Sequence, residues 1–440
     1  MNIEDWKRKN AHPKRYAHFD KRVALRTAWD YISNSEKVTH HGFYPFVHYQ
    51  QKFNKFNSVD GIKLKERELC YAAHIDRYIY SYYGFLLNEK YNQRVVKDGF
   101  TDSAVAYRTD LNKNNIHFAK EAIDFIRTNT PCYIVVGDFT HFFDKLNHQY
   151  LKKQLCNFLE CESLLSDYYA VFKNITRYSI WDLDSLLLIN GLEDTKSSIK
   201  ELNQRAQLLT AKQFRQNKKE CIRPHKEVFG IPQGSPISAI LSNIYMLDFD
   251  KKVRQFCDNN FGLYMRYSDD FIIVLPEISG IPFSKQLKKI QGFVSGTEGL
   301  ELQEEKTQLY FFDDTQIKNI SAEYLTTSNS GNNSLNYLGF TFDGKTVTIR
   351  DKTISKYYYR MRRKANFIVK SGGYTKTGKR ISNKNLYYLY SIKGANTGNG
   401  NFLTYVQRAE RIFGKDEAIN RGTKSHMHKI KKLLNGNPNK

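Results

Sequence analysis

Leu263-Tyr264-Met265-Arg266-Tyr267-Ser268-Asp269-Asp270-Phe271-Ile272-Ile273-Val274-Leu275 is the stretch from which the rest of the chain is read. Two β-rich runs, Leu263–Tyr267 and Phe271–Leu275, flank a polar Ser-Asp-Asp, which predicts a hairpin with adjacent carboxylates at its tip. With strands this apolar, Asp269 and Asp270 cannot both face solvent, and neighbouring like charges there need a cation to offset their repulsion. A hard divalent ion suits them. Mg²⁺ takes one or two carboxylates plus phosphate oxygens, and two such ions about 3.5–4 Å apart hold the attacking and leaving oxygens of a phosphoryl transfer.

Upstream, the short apolar run Cys132–Gly137 ends on Asp138 and reads as a buried strand with a third acid at its C-terminal end, completing a cage. Between the two, Pro236 opens a helix whose Ile237, Ile240, Leu241, Ile244 and Tyr245 fall at helical spacing. Up to about residue 130 the pattern is mostly helical, with Leu64–Tyr91 the clearest stretch. Downstream, Thr353–Lys370 predicts a helix with Lys356, Arg360 and Arg363 along one side. The polar patches Thr326–Ser334 and Lys370–Lys384 read as loops or a lobe boundary. A helical first part, a mixed middle and a basic helical end make the fold class α+β.

Composition narrows the function. The 440 residues exceed one compact domain, so two or three lobes sharing a core are expected. The formal net charge is +23, and residues 351–440 hold 21 basic and 4 acidic side chains, so most of the excess sits in the last lobe. Such a lobe implies a polyanionic partner. No run of about 18 apolar residues and no signal-like start is found, so no membrane partner and a cytoplasmic location are expected. The 6 cysteines show no C-x-x-C pairing and the 12 histidines no zinc spacing, so reduced and mostly buried thiols are expected. Taken singly, Asp138 could cap a helix, Phe143 could be core, and Arg67 and Lys306 could be solvated charges.

With 30 tyrosines in 440 residues, chance alone places a Tyr-x-Asp-Asp about 0.1 times, so the tetrapeptide needs its neighbours to carry weight. Gly137-Asp138-Phe139-Thr140-His141-Phe142-Phe143-Asp144 resembles motif A of reverse transcriptases, Gly230-Ile231-Pro232-Gln233-Gly234-Ser235-Pro236 resembles motif B, and Tyr267-Ser268-Asp269-Asp270 resembles motif C. Glu304-Glu305-Lys306-Thr307 is similar to motif D and Asn336-Tyr337-Leu338-Gly339-Phe340 to the primer-grip motif E. Arg67, followed by Asp76-Arg77, resembles the fingers motif of group II intron-like bacterial enzymes. Tyr71-Ala72-Ala73-His74 and Ser268 depart from the intron-encoded pattern.

The resemblance, which runs from about Lys63 to Phe342, implies a right-hand polymerase. Its fingers would span residues 1–130, its palm 131–345 with a helical insertion at about 150–225, and its basic helical thumb 346–440. It implies that Asp138, Asp269 and Asp270 are catalytic and that, with the Phe139 carbonyl, they hold two Mg²⁺ ions. Phe143 matches the gate that excludes a ribose 2′-hydroxyl. Gln233 and Tyr267 match residues lining the incoming nucleotide, Arg67 a cation clamping its triphosphate, and Lys306 a proton donor to pyrophosphate. Gly339 of the primer grip and Lys356, Arg360, Arg362, Arg363 and Lys364 of the thumb are then nucleic-acid contacts.

No maturase, H-N-H or integrase extension is expected after the thumb-like segment. With the segment Asn401–Ala409 it looks like bacterial unknown-group and abortive-infection reverse transcriptases, most of all the type 2 defence-associated ones. That likeness implies dNTPs as substrates, a structured noncoding RNA as template, a cDNA product and a role against phage. Protein priming or template-independent synthesis is the alternative within this group. A viral-type RNA polymerase fits less well, because Phe142 or Phe143 stands where such enzymes read the 2′-hydroxyl with an aspartate. A silent RNA-binding scaffold would have no need of three acids.

Overall fold

The computed structural model describes residues 2–57, 61–326, 331–374, 378, 380 and 384–435. Its strands in chain order are β1 (Phe46–Asn57), β2 (Gly61–Tyr71), β3 (Cys132–Asp138), β4 (Ser179–Asp182), β5 (Arg223–Pro224), β6 (Leu263–Tyr267), β7 (Asp270–Pro276), β8 (Gln308–Phe312), β9 (Ile317–Asn319), β10 (Leu335–Tyr337), β11 (Phe340–Phe342) and β12 (Val347–Ile349). They form a five-stranded sheet β6-β7-β3-β8-β9, a four-stranded sheet β2-β1-β4-β5 and a three-stranded sheet β10-β11-β12.

The five-stranded sheet is antiparallel throughout and buried on both faces. Side chains alternate across a strand, so Ile134, Ile272 and Val274 join the helix Asn115–Thr128 in one apolar cluster. Val135, Ile273 and Leu275 join the helices Leu247–Asn259 and Phe283–Ser295 in another. Double-sided burial explains why these strands read as nearly continuous apolar runs. Gly137 has a steric reason: a Cβ there would lie 2.3 Å from the Phe271 ring.

The first cluster also takes in β10–β12 and the buried face of the helix Asp351–Lys370, namely Tyr357, Met361, Ala365 and Ile368. The basic end therefore shares an interior with the Ile134, Ile272 and Val274 face of the five-stranded sheet. Its segment Asn401–Ala409 lies in a helix, Phe402–Phe413, opened by a capping box between Asn401 and Thr404.

The first part of the chain departs from the expected helices. Leu64–Tyr71 is strand, the helix begins at His74 and runs to Lys97, and β1 and β2 form a long ribbon in register from Val47↔Tyr71 to Asn57↔Gly61. Lys, Glu, Leu and Arg dominate this stretch and favour helix locally, but a continuous partner strand outweighs an intrinsic preference of a few tenths of a kcal/mol per residue. β4 extends the ribbon in parallel, Phe46↔Ile180 to His48↔Asp182, so the mostly helical segment from 150 to 225 also contributes to this sheet.

The helix expected from Pro236 begins two positions later, at Ser238, because residues 235–238 close a turn through Ser238 N–H to the Ser235 carbonyl (3.2 Å). Of the two polar patches, residues 327–330, 375–377, 379 and 381–383 lie outside the described residues. All six cysteines are free. Cys70, Cys132 and Cys257 are buried and the other three half-buried, so the expectation of mostly buried thiols holds for half of them. Among the described residues no helix is long and apolar enough to cross a membrane.

Candidate active site

β3 and β7 pair so that Asp138 stands directly opposite Asp270, and β6 and β7 pair so that Tyr267 stands opposite Asp270 as well. Residues directly opposite on antiparallel strands project from the same face, so register alone brings Asp138 and Asp270 together. Ser268 and Asp269 make the two-residue connection, with Ser268 at φ 65, a left-handed conformation that costs a non-glycine residue energy and must be held from outside.

Two groups hold it. The Tyr107 hydroxyl lies 2.8 Å from the Ser268 hydroxyl, and Arg266 Nη1 donates to the Ser268 carbonyl at 2.9 Å. Arg266 is wholly buried and bidentate to Asp250, Nε to Oδ1 at 2.8 Å and Nη2 to Oδ2 at 2.6 Å. The Tyr264 hydroxyl also donates to Asp250 Oδ1, at 2.6 Å. Asp250 raises the Arg266 pKa despite burial, so the guanidinium stays charged. Arg266 does carry a sequence signal: a charge inside an apolar strand needs a buried partner. Tyr107 and Asp250 carry none of their own.

The carboxylates differ in surroundings. Asp138 Oδ2 is ion-paired with Lys306 Nζ, while Asp138 Oδ1 is buried with no hydrogen-bond partner among the described residues. Asp269 is half-buried, and its carbonyl accepts from the Phe139 N–H at 3.2 Å. Asp270 meets water at its surface, yet desolvation by the cleft, then Asp269 and Asp138, push its pKa up to about 6, with Lys306 and Arg350 opposing.

Phe139 bridges Leu302 on its other side. The two ladder bonds there, Gln303 N–H to Asp138 O (2.8 Å) and Thr140 N–H to Glu301 O (2.9 Å), leave the Phe139 carbonyl pointing with its N–H toward the Asp269 turn.

Among the described residues no group of three or more His, Cys, Asp or Glu side chains is placed to hold a metal ion. Asp138, Asp269 and Asp270 therefore do not form such a group, although register sets Asp138 opposite Asp270 and Lys306 is ion-paired with Asp138. The donor chemistry still fits a hard cation: an orphaned buried carboxylate oxygen on Asp138, the Asp270 carboxyl opposite it, whose pKa is raised by desolvation and then by Asp269 and Asp138, and a backbone carbonyl on the same side.

Asp270 therefore weakens the metal-free fold. Its folded pKa of about 6 lies above the unfolded value, so the penalty is absent below the unfolded pKa, grows as pH rises through that window and is complete above about 6. We expect Asp270→Asn to raise the stability of the protein in EDTA at pH 7 by about 1 kcal/mol, discounted because the group meets water. Melts at pH 4 and pH 7 check this. A variant no more stable than wild type at pH 7 would contradict it.

Motif B folds back on both neighbours. The Gln233 carbonyl accepts from the Cys70 N–H of β2 at 2.8 Å, and Gln233 Nε2 donates to Asp144 Oδ1 at 3.3 Å. Gly234 is at φ +110, and a Cβ there would lie 2.3 Å from the Cys70 carbonyl, so only glycine lets the ribbon seat on this loop. Phe143 is half-buried beside Phe142, with ring centroids 5.4 Å apart, and its carbonyl accepts from the Ile231 N–H at 3.0 Å. The structure thus joins Phe143, Gln233 and Asp144.

Among the described residues no hydrogen bond or ion pair links Arg67 to Asp138, Asp269 or Asp270. Arg67 is exposed on β2, its guanidinium 6.0 Å from the Phe53 ring and three residues, about 10 Å of strand, beyond Cys70. Leu338 (φ 45) and Gly339 (φ 93) make the tight turn between β10 and β11. There the Asn115 side chain donates to the Leu338 carbonyl at 3.0 Å, and the Gly339 carbonyl accepts from the Arg350 N–H at 3.0 Å. Lys356, Arg360, Arg362 and Arg363 are exposed along their helix and Lys364 is half-buried.

Residues 86–342, more than half of the chain, match the protein family described as reverse transcriptase (RNA-dependent DNA polymerase). No curated protein sequence matches the chain. Solved structures it resembles include apo telomerase from Candida tropicalis truncated from its C-terminal domain, at 14% identity over 75% of this chain and 61% of that one, TM-score 0.38. Another is apo telomerase from the same organism, at 15% identity over 78% and 56%, TM-score 0.35. A third is telomerase from Candida albicans in complex with a TWJ fragment of telomeric RNA, at 12% identity over 98% and 72%, TM-score 0.40. The chain spans less than two thirds of the first two, and at these scores the likeness carries no argument.

Proposed function

The chain belongs to the reverse transcriptase family, and on that premise we propose that it is an RNA-directed DNA polymerase working by two-metal nucleotidyl transfer. The observation that carries the reading is the sheet register that sets Asp138 opposite Asp270 with Asp269 in the adjoining turn. Asp138, Asp269, Asp270 and the Phe139 carbonyl would hold two Mg²⁺ ions, which supply charge neutralisation at the attacking and leaving oxygens. We read residues 1–130 as fingers, 131–345 as palm and 346–440 as thumb.

The chain's own groups do the rest. Phe143, tied to motif B through its carbonyl, underlies the sugar and leaves no room for a 2′-hydroxyl. Gln233 and Tyr267 line the nucleotide. Lys306 exchanges Asp138 for the triphosphate and gives its Nζ proton to departing pyrophosphate. Arg67, on the ribbon, clamps the triphosphate with its guanidinium. Gly339 and the exposed cations Lys356, Arg360, Arg362, Arg363 and Lys364 hold the nucleic acid.

The motif variants and the strongly basic last ninety residues support a finer reading: a bacterial anti-phage enzyme that copies a structured noncoding RNA into cDNA. Purified protein incubated with Mg²⁺ and labelled nucleotides, with the copurifying RNA sequenced, tests both levels. Incorporation of dNTPs with one dominant RNA is expected. Incorporation of NTPs would indicate an RNA polymerase, no incorporation a scaffold, and heterogeneous RNA would remove the dedicated template.

If Phe143 is the gate, Phe143→Ala lowers the preference for dNTP over NTP by about tenfold to a hundredfold. Comparing kcat/KM for a matched pair in both proteins measures it, and an unchanged ratio removes Phe143 from the sugar.

A further inference from the structure

The helix Asp351–Lys370 buries Tyr357, Tyr358, Met361, Ala365 and Ile368 and turns Arg360, Arg363 and Phe367 outward. These three lie three and four residues apart, one stripe on the helix. Phe367 is 58% exposed. Across from it stands Tyr390, the last residue of the helix Lys384–Tyr390, anchored by the Tyr357 hydroxyl, which donates to its carbonyl at 2.6 Å. Arg360, Arg363, Lys364, Phe367 and Tyr390 line a cleft of about 410 Å³ between them, within the size range of ligand pockets.

Its chemistry selects an occupant. No acidic residue lines the cleft, and Arg360, Arg363 and Lys364 form no ion pair among the described residues. An apolar protein surface on Phe367 would strip water from three cations without replacing it. A nucleotide with its neighbouring phosphates satisfies both halves, the ring by stacking and the cations by charge. Bases inside a duplex are already stacked and shielded, so only an unpaired base can reach the ring.

We propose that this cleft holds one unpaired RNA base, stacked on Phe367 with Tyr390 as the opposite wall, while Arg360, Arg363 and Lys364 take the flanking phosphates. The inference rests on the RNA-templated reading and adds to it the feature the thumb selects: a bulge or loop rather than continuous duplex.

The test is equilibrium binding of the full chain, without nucleotides, to two hairpin RNAs. One carries a single bulged 2-aminopurine, and the other is the same hairpin fully paired. Wild type is expected to bind the bulged hairpin about tenfold more tightly and to quench its fluorescence by stacking. Phe367→Ala loses the preference and the quench but keeps the salt dependence, Phe367→Trp restores both, and Arg363→Glu flattens the salt slope for either RNA. Equal affinity of wild type for the two hairpins, or a quench that survives in Phe367→Ala, overturns the proposal. Because binding is read without polymerisation, a protein that incorporates no nucleotide can still show the bulge preference, and an active polymerase can still fail it.

Discussion

Asp269→Asn and Asp138→Asn are each expected to lower the rate of nucleotide incorporation by about a thousandfold or more while leaving the protein folded and able to bind RNA. On the proposed reading the reason is differential: Mg²⁺ held by these carboxylates would offset the negative charge that develops on the attacking and leaving oxygens, so losing one ligand charge raises the barrier more than it weakens the ground-state complex. The fold tolerates the change because Asp269 is only half-buried and the Asp138 ion pair with Lys306 lies at a partly exposed surface. Single-turnover incorporation on a primed RNA template, beside melting temperature and RNA affinity, separates these effects. Incorporation within tenfold of wild type by either variant would sink the carboxylate assignment.

The second large effect lies behind the site. Asp250→Ala leaves the Arg266 guanidinium buried at zero exposure without its bidentate partner. Breaking such a pair costs about 3–5 kcal/mol, a large share of the 5–15 kcal/mol or so that typically holds a domain together. Denaturant unfolding should show most of that loss. The double variant Asp250→Leu with Arg266→Met removes both charges and regains most of the stability. It does not regain activity, because the 2.9 Å bond from Arg266 to the Ser268 carbonyl is gone and the left-handed turn loses its inner support. Wild-type kcat in a stable double variant would show that the pair contributes to folding alone. A fall in kcat with KM unchanged identifies Arg266 as a positioning residue for the turn.

These two experiments address residues of very different legibility. Asp269 and Asp270 stand out because a strand–turn–strand is encoded within thirteen consecutive positions, where period, turn chemistry and charge are all local. Cys132–Asp138 was readable for the same reason, and the helix expected over Thr353–Lys370 is found over Asp351–Lys370. Leu64–Tyr71 shows the limit. Its Lys, Glu, Leu and Arg favour helix, and only the strand beginning at Phe46, an element of no distinctive pattern, makes it half of a ribbon.

Local reading of the residues was enough for the order of motifs, the three acids, the glycine of the Gly230–Pro236 loop and the concentration of positive charge in the last lobe. Folding in three dimensions settled which separated groups meet, Lys306 with Asp138, Tyr107 with Ser268, Gln233 with Cys70 and Asp250 with Arg266, and that Phe367 and Tyr390 line one cleft. Strand register and helix packing bring these partners together across up to 168 positions of chain. Hydrophobic periodicity reports which face of an element is buried, but not what that face is buried against, and it is the identity of the neighbour that makes a charge a ligand, a clamp or a solvated side chain.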